Sequence, residues 1–157
     1  MGSLVTIRPM NHDDVSAVAR LEAANQPQPW SEETIRSELE TDNRCYVIAE
    51  GSELVGFGGV MVIDDEAHVT NLLVDPGHRR QGVGRRLMTA LVTAAVGRGA
   101  RHLTLEVRSD NTAARDLYSS MGLAPVGIRP SYYGDVDALI LWAHDIDQAD
   151  FVSGMSR

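Results

Sequence analysis

Lysine is missing altogether: all 14 basic residues are arginine, against 22 aspartates and glutamates, for a formal charge of -8. A phosphate loop of the Walker type needs its lysine, so triphosphate hydrolysis by that route is excluded. The acid excess makes general nucleic-acid binding unfavourable, and no direct nucleic-acid contact is expected. Cysteine occurs once, at Cys45, so no internal disulfide can form and no thiolate cluster can hold zinc. Cys45 reads as a small core residue. His12, His68, His78, His102 and His144 lack metal-ligand spacing and read as ordinary surface or strand histidines, with no metal expected. Long apolar runs are absent as well. Residues 56–63 and 138–143 fall far short of the roughly 20 residues a membrane helix needs. The first twenty residues carry Arg8, Asp13, Asp14 and Arg20 and hold no apolar signal core, so a cytoplasmic location away from membranes is expected.

What remains is an ordinary globular composition, 43% hydrophobic and 23% charged over 157 residues. That length predicts one domain, spanning 1–157, with an ordered core over about 4–146 and a flexible tail over 147–157. Leu4 to Arg8 reads as a strand closed by Pro9. Val15, Val18, Ala19 and Leu21 recur at helical spacing after Asp13 and Asp14. Ser31 before Glu32 and Glu33 signals a second helix, with Ile35 and Leu39 on its apolar stripe. Cys45 to Glu50 and Leu54 to Ile63 read as a hairpin, and Ala67 to Val74 as a fourth strand. Within the third strand, Gly56, Gly58 and Gly59 predict a bulge or a close backbone approach. Leu87, Met88, Leu91, Val92, Ala95 and Val96 mark a long amphipathic helix ending near Gly97 and Gly99. His102 to Val107 is a further strand. A helix capped by Asp110 or Asn111 follows through Leu117, Tyr118 and Met121, then strands near 124–128 and 138–144. Strands and helices mix in an α/β (α+β) pattern without internal repeat.

The segment from Val74 through Asp75-Pro76-Gly77-His78-Arg79-Arg80-Gln81-Gly82-Val83-Gly84 to Arg85 joins an apolar strand to the long helix. Glycines let backbone N–H groups approach a ligand, and the helix N-terminus carries roughly half a positive charge. Arg79, Arg80, Arg85 and Arg86 add guanidinium donors, and a pyrophosphate fits such a nest. A solvated basic turn is the plain alternative. Gly82-Val83-Gly84 lacks the third glycine of a dinucleotide fingerprint.

Arg79-x-x-Gly82-x-Gly84 between a strand and a helix resembles the acetyl-coenzyme A loop of the GCN5-related N-acetyltransferases (GNAT). Leu103 to Arg108, then Asn111, then Leu117-Tyr118-x-x-Met121-Gly122 match the following part of that fold in order and spacing. Pro29-Trp30-Ser31, the Leu-Glu-Val-Arg strand and Tyr132-Tyr133 are similar to the bacterial members that acetylate the N-terminal alanine of a small-subunit ribosomal protein. The resemblance covers about Leu4 to Ile146. It implies a mixed, mostly antiparallel sheet of six to seven strands, splayed at strands 4 and 5 and flanked by about four helices.

It also implies acetyl-CoA as cosubstrate. Leu72, Leu73 and Val74 would pair with the pantetheine arm and polarise the thioester carbonyl. Arg80, Gln81, Gly82, Val83, Gly84 and Arg85 would hold the pyrophosphate, Arg79 would open the loop, and Asn111 would touch the cofactor from the far side. Read as plain residues, Leu72 to Val74 are core and Asn111 is a helix cap.

Acetyl transfer to an amine needs a neutral nucleophile and a protonated leaving sulfur. At pH 7, deprotonating an α-amine of pKa about 8 costs about 1.4 kcal/mol, against about 4.6 for a lysine near 10.4, so a modest base suffices for a protein N-terminus. Glu106 lies in an apolar alternating strand where burial favours a raised pKa, and the resemblance makes it the base, directly or through water. Tyr118 matches the family's general acid. Their plain alternatives are a solvent-facing strand residue and a core aromatic.

On the acceptor side, Tyr132 and Tyr133 resemble the family's pair beside the peptide groove, where amphipathic rings hold a backbone at small entropic cost, with strand or edge packing as their plain alternative; Trp30 either lines the same groove or anchors the helix at Ser31. The loop Gly134 to Ala138 is shorter than in familiar relatives. Glu32, Glu33, Asp64, Asp65, Asp135 and Asp137 could attract a basic peptide, or simply solvate the surface. The resemblance thus points to a protein N-terminus, with a ribosomal protein foremost, as acceptor partner. A small amine or lysine side chain is the second enzymatic reading, and a coenzyme A-binding module without catalysis is the reading of another class.

Overall fold

The computed structural model describes residues 4–155. Seven strands form one sheet in the order β1-β2-β3-β4-β5-β7-β6. They are β1 (Thr6–Pro9), β2 (Arg44–Glu50), β3 (Leu54–Ile63), β4 (Glu66–Val74), β5 (His102–Arg108), β6 (Ala124–Arg129) and β7 (Ala138–His144). Neighbours are antiparallel except β4 and β5, which run parallel. The helices are α1 (Val15–Asn25), α2 (Glu32–Leu39), α3 (Val83–Gly97), α4 (Thr112–Ser120) and α5 (Ala149–Met155). Among the described residues, no helix is long and apolar enough to cross a membrane.

Local chemistry sets the helix starts. Asn11 accepts from Asp13 N at 2.9 Å while the Asp14 carboxylate accepts from Asn11 N at 2.9 Å, a reciprocal cap that opens the turn into α1. Ser31 Oγ accepts from Thr34 N at the head of α2, and Asn111 Oδ1 from Ala114 N at the head of α4, each at 3.1 Å. α3 ends at Gly97, and the chain turns away through Gly99 at φ +94°.

Helices cover the sheet unequally. On one face, Val15, Val18, Leu21 and Ile35 from α1 and α2 pack on Ile48, Phe57 and Leu73. On the other, Leu87, Met88, Leu91 and Val92 of α3 and Tyr118 of α4 pack on Leu103, Leu105 and Leu141. The glycines of β3 serve close approach: a Cβ on Gly59 would collide with the Tyr46 ring, and one on Gly58 would come 2.9 Å from Leu91. The expected bulge is there too: against β2, Ala49 pairs with Gly56 and Glu50 with Leu54, leaving Val55 of β3 unpaired, and a second bulge lies on the partner strand. Gly59 pairs with Asn71 and Val60 with Val69, leaving Thr70 of β4 as the extra residue.

The tail differs from expectation. Residues 149–155 form α5, a fifth helix, whose Met155 is 1% exposed and whose Phe151 and Val152 pack against the α3 core. Apolar side chains spaced along the tail give it a face to bury, so it docks instead of fraying. Positions 156 and 157 of that tail lie outside the described residues.

Candidate active site

β4 and β5 pair only at Glu66 with His102, Ala67 with Leu103 and His68 with Thr104. Beyond that point β4 continues to Val74 and β5 to Arg108 without pairing, so the sheet opens into a V. Each arm is held from its outer side: Leu72 and Val74 pair with Gly58 and Gly56 of β3, and Glu106 pairs with Ile140 of β7. The inner edge of β4 along Leu72, Leu73 and Val74 therefore presents main-chain groups with no strand beside them, a row that an extended ligand arm can pair with.

The loop after β4 closes one end of the V. Asp75 caps a short turn by accepting from Gly77 N at 3.1 Å. Arg80 at φ +64° and Gly82 at φ +78° then place alternate residues in the left-handed region, a geometry that turns successive N–H groups toward one side. Gly82 is the N-cap of α3 and gives it no side-chain cap. The first intrahelical bond runs from Arg86 N to Gly82 O at 3.1 Å, so the N–H groups of Val83, Gly84 and Arg85 project off the helix end. A Cβ on Gly82 would meet nothing within 4 Å. The donor set and the open space suit a diphosphate.

The arginines around this loop serve differently from the sequence expectation. The Arg85 guanidinium is turned away, donating to Met155 O at 2.8 Å and to Ser120 Oγ at 2.6 Å. Arg86 donates to Val5 O at 2.7 Å, and Arg79 Nε to Val74 O at 3.2 Å. Three of the four guanidinium groups thus brace the loop and α3 against neighbouring elements, because main-chain carbonyls at strand and helix ends lie within their reach. Asn111 spends its side-chain oxygen on the α4 cap, leaving its amide nitrogen for a ligand.

Glu106 leaves β5 on the face opposite the buried Leu105 and Val107. Its side chain is 12% exposed: Oε2 is held 2.6 Å from His68 Nε2, and Oε1 has Arg129 Nε at 3.5 Å as an ion-pair neighbour without a hydrogen bond. The sequence reading foresaw neither partner. His68 looked like an ordinary strand histidine, and only the parallel register that ends at His68 brings it alongside β5. Tyr118 comes from the other layer, buried on α4, and burial pushes its phenol well above the ordinary tyrosine value. Its hydroxyl therefore stays protonated at any physiological pH.

Tyr133 donates from its hydroxyl to Glu106 O at 3.4 Å, and desolvation, followed by the neighbouring Tyr132, raises its pKa. Tyr132 is 51% exposed and meets Tyr133 edge to face with ring centroids 5.0 Å apart. Arg108 and Arg129 lie over the Tyr133 and Tyr132 rings at 5.6 and 5.9 Å. Tyr133 and Tyr132 thereby form a lip beside Glu106. Trp30 sits apart from them, packed on the α1–α2 cluster with its main-chain N–H donated to Glu22 Oε1 at 3.0 Å. Cavities of about 290 Å³ between α4 and β6–β7, and about 300 Å³ beside β1 and α3, lie outside the V.

A split parallel pair, an uncapped helix behind a glycine turn, and a carboxylate and a phenol on opposite layers define the class. The chain matches the model of the Acetyltransferase (GNAT) family over residues 15–123, and it belongs to that family. It is an acetyltransferase. The ribosomal protein bS18-alanine N-acetyltransferase of Escherichia coli (strain K12) is 35% identical over 140 residues, covering 87% of this chain and 95% of that protein. The crystal structure of the ribosomal-protein-S18-alanine N-acetyltransferase from Escherichia coli matches with a TM-score of 0.81 at 33% identity, covering 90% of this chain and 94% of that one. Arabidopsis thaliana NAA60 in complex with acetyl-CoA matches with a TM-score of 0.80 at 18% identity, covering 90% and 98%, a likeness of fold alone.

Proposed function

We propose that this chain transfers acetyl from acetyl-CoA to the N-terminal α-amine of a protein, as a RimI-type enzyme whose acceptor is the alanine at the start of ribosomal protein bS18. A cytoplasmic location accompanies that acceptor. The observation that carries the chemistry is the V between β4 and β5, with the glycine turn at its end and Glu106 on its wall. The choice of acceptor rests on the likeness to bS18-alanine N-acetyltransferases across nearly the whole of both chains.

The pantetheine arm lies along Leu72, Leu73 and Val74, where main-chain groups on the edge of β4 that faces away from β3 pair with its amides and polarise the thioester carbonyl. The diphosphate rests on the N–H groups from Arg80 to Arg85, with Arg79 bracing the turn and the Asn111 amide touching the cosubstrate from the α4 side. The acceptor ammonium passes its proton to Glu106, the neutral amine attacks the thioester carbon, and Tyr118 protonates the departing sulfur. Tyr132 and Tyr133 line the way in for the acceptor peptide, while Trp30, apart from them, anchors the start of α2 against α1. General acid and base catalysis of this kind supplies about 10² to 10⁴ in rate.

Free-thiol release from acetyl-CoA, with a peptide copying the bS18 N-terminus and a panel of small amines and lysine peptides, tests the reading. The alanine peptide should be turned over fastest, and Glu106→Gln should lower kcat by about 10²-fold. Preference for a small amine, or a Glu106→Gln enzyme as fast as the parent, rejects it.

A further inference from the structure

The residue that this chemistry leaves unused is His68. Its Nε2 stands 2.6 Å from Glu106 Oε2, a contact between residues 38 positions apart in the chain. Two lone pairs at that separation would repel, so the contact holds a proton; with Glu106 ionised, as a base must be, the imidazole Nε2–H donates to the carboxylate. The other oxygen, Oε1, has Arg129 Nε at 3.5 Å, beyond ordinary hydrogen-bond length. Oε2 is therefore committed and Oε1 is the oxygen offered to an acceptor. The fold explains why the contact forms here. His68 and Thr104 are the last paired residues before the strands part, and Glu106 follows Thr104 by one step on the same face. The imidazole bridges the two strands at the vertex of the V, just where backbone pairing stops.

We infer that His68 is a positioning residue for acetyl transfer, its Nε2–H fixing the Glu106 carboxylate so that Oε1 faces the incoming amine. The inference rests on the reading of Glu106 as base. A carboxylate free to swing about its side-chain torsions loses the near-attack geometry on which proton transfer depends. The proton bookkeeping is simple: the ammonium proton moves to Oε1, and the Nε2 proton stays on His68. Tyr133, bonded to the Glu106 main-chain oxygen, steadies the strand while His68 steadies the side chain.

The test uses the full-length protein, acetyl-CoA and the alanine-initiated peptide, with Glu106→Gln, His68→Ala, His68→Gln and the double variant His68→Ala/Glu106→Gln. His68→Ala should lose about tenfold in kcat, a fraction of what a general base supplies, with KM for acetyl-CoA unchanged. His68→Gln, whose amide can set an N–H near the place of Nε2–H, should recover most of that loss. The double variant should be no slower than Glu106→Gln alone, because His68 acts only through the carboxylate. A nuclear magnetic resonance experiment gives a readout free of turnover: the His68 Nε2 proton should be protected from exchange in the parent and exposed in Glu106→Ala.

A His68→Ala enzyme with normal kcat beside a crippled Glu106→Gln overturns this role and leaves the base assignment standing. Glu106→Gln at full speed overturns both. A tenfold effect of His68→Ala that persists in the Glu106→Gln background, a glutamine no better than alanine, or an unprotected Nε2 proton in the parent also overturns the inference.

Discussion

Arg85, in the first turn of α3, donates from Nη1 to the main-chain oxygen of Met155 at 2.8 Å and so ties the C-terminal helix α5 to the glycine turn. The same guanidinium reaches Ser120 Oγ at the end of α4. One side chain thereby links α3, α4 and α5, and its charge is spent on structure.

The first prediction concerns how α5 docks through its buried side chain. Met155 is 1% exposed, so Met155→Ala should cost about 2–5 kcal/mol through lost transfer energy and a residual cavity. For a chain of this size the thermal midpoint should fall by roughly 4–20 °C. A midpoint within a degree of the parent, measured by calorimetry, would show that α5 contributes nothing to the core.

Gly82 separates stability from binding. Its φ of +78° costs a non-glycine residue about 1 kcal/mol, yet an added Cβ meets no protein atom within 4 Å. Gly82→Ala should therefore fold with only a small loss of stability while its affinity for acetyl-CoA falls at least about tenfold, since close approach of a diphosphate to the turn is blocked. Gly82→Asp should bind more weakly still, because it adds negative charge. Isothermal titration of both proteins with acetyl-CoA reads the result, and unchanged affinity would move the diphosphate elsewhere.

Tyr118 makes a prediction in pH. Burial is the leading cause that raises its phenol, so the hydroxyl stays protonated to well beyond pH 10 and should contribute no loss of rate on the alkaline side. Tyr118→Phe should lower kcat by about 10²-fold at every pH from 6 to 10, with little change in melting temperature. A parent enzyme whose kcat collapses near pH 10 with the signature of this phenol would contradict the burial argument.

Asp14 carries the pH dependence of stability at the other end of the molecule. Arg8 grips its carboxylate with bonds of 2.9 and 2.8 Å, and that hydrogen bonding is the largest of the causes holding its pKa below the ordinary carboxylate range. A depressed folded pKa contributes stability above the unfolded value, about 3.9, and loses it as pH falls through the folded value. Asp14→Asn should cost about 1–3 kcal/mol at pH 7, with the gap to the parent narrowing below about pH 4. Denaturant titrations at pH 7 and pH 3 measure both, and a gap that stays constant would place the contribution in the Asn11 cap and not in the charge.

Much of the local architecture was legible in one dimension. Apolar periodicity delimits α3, and Ser31 and Asn111 start α2 and α4, because caps and periods act within a few residues of where they stand. The Gly82 turn could be read for the same reason. What no local pattern encodes is which strand lies beside which, and in what register.

That choice decided the rest. β7 inserted itself between β5 and β6, and β4 and β5 parted after His68. A histidine with no visible task came to lie against Glu106, and a basic side chain suited to phosphate folded back onto Met155. Sequence alone determined where the chain turns and which faces it must bury, since those follow from short-range sterics and solvent. Tertiary structure alone decided which polar groups meet, because a carboxylate and an imidazole 38 residues apart are brought together by the packing of the whole sheet and by nothing near either of them.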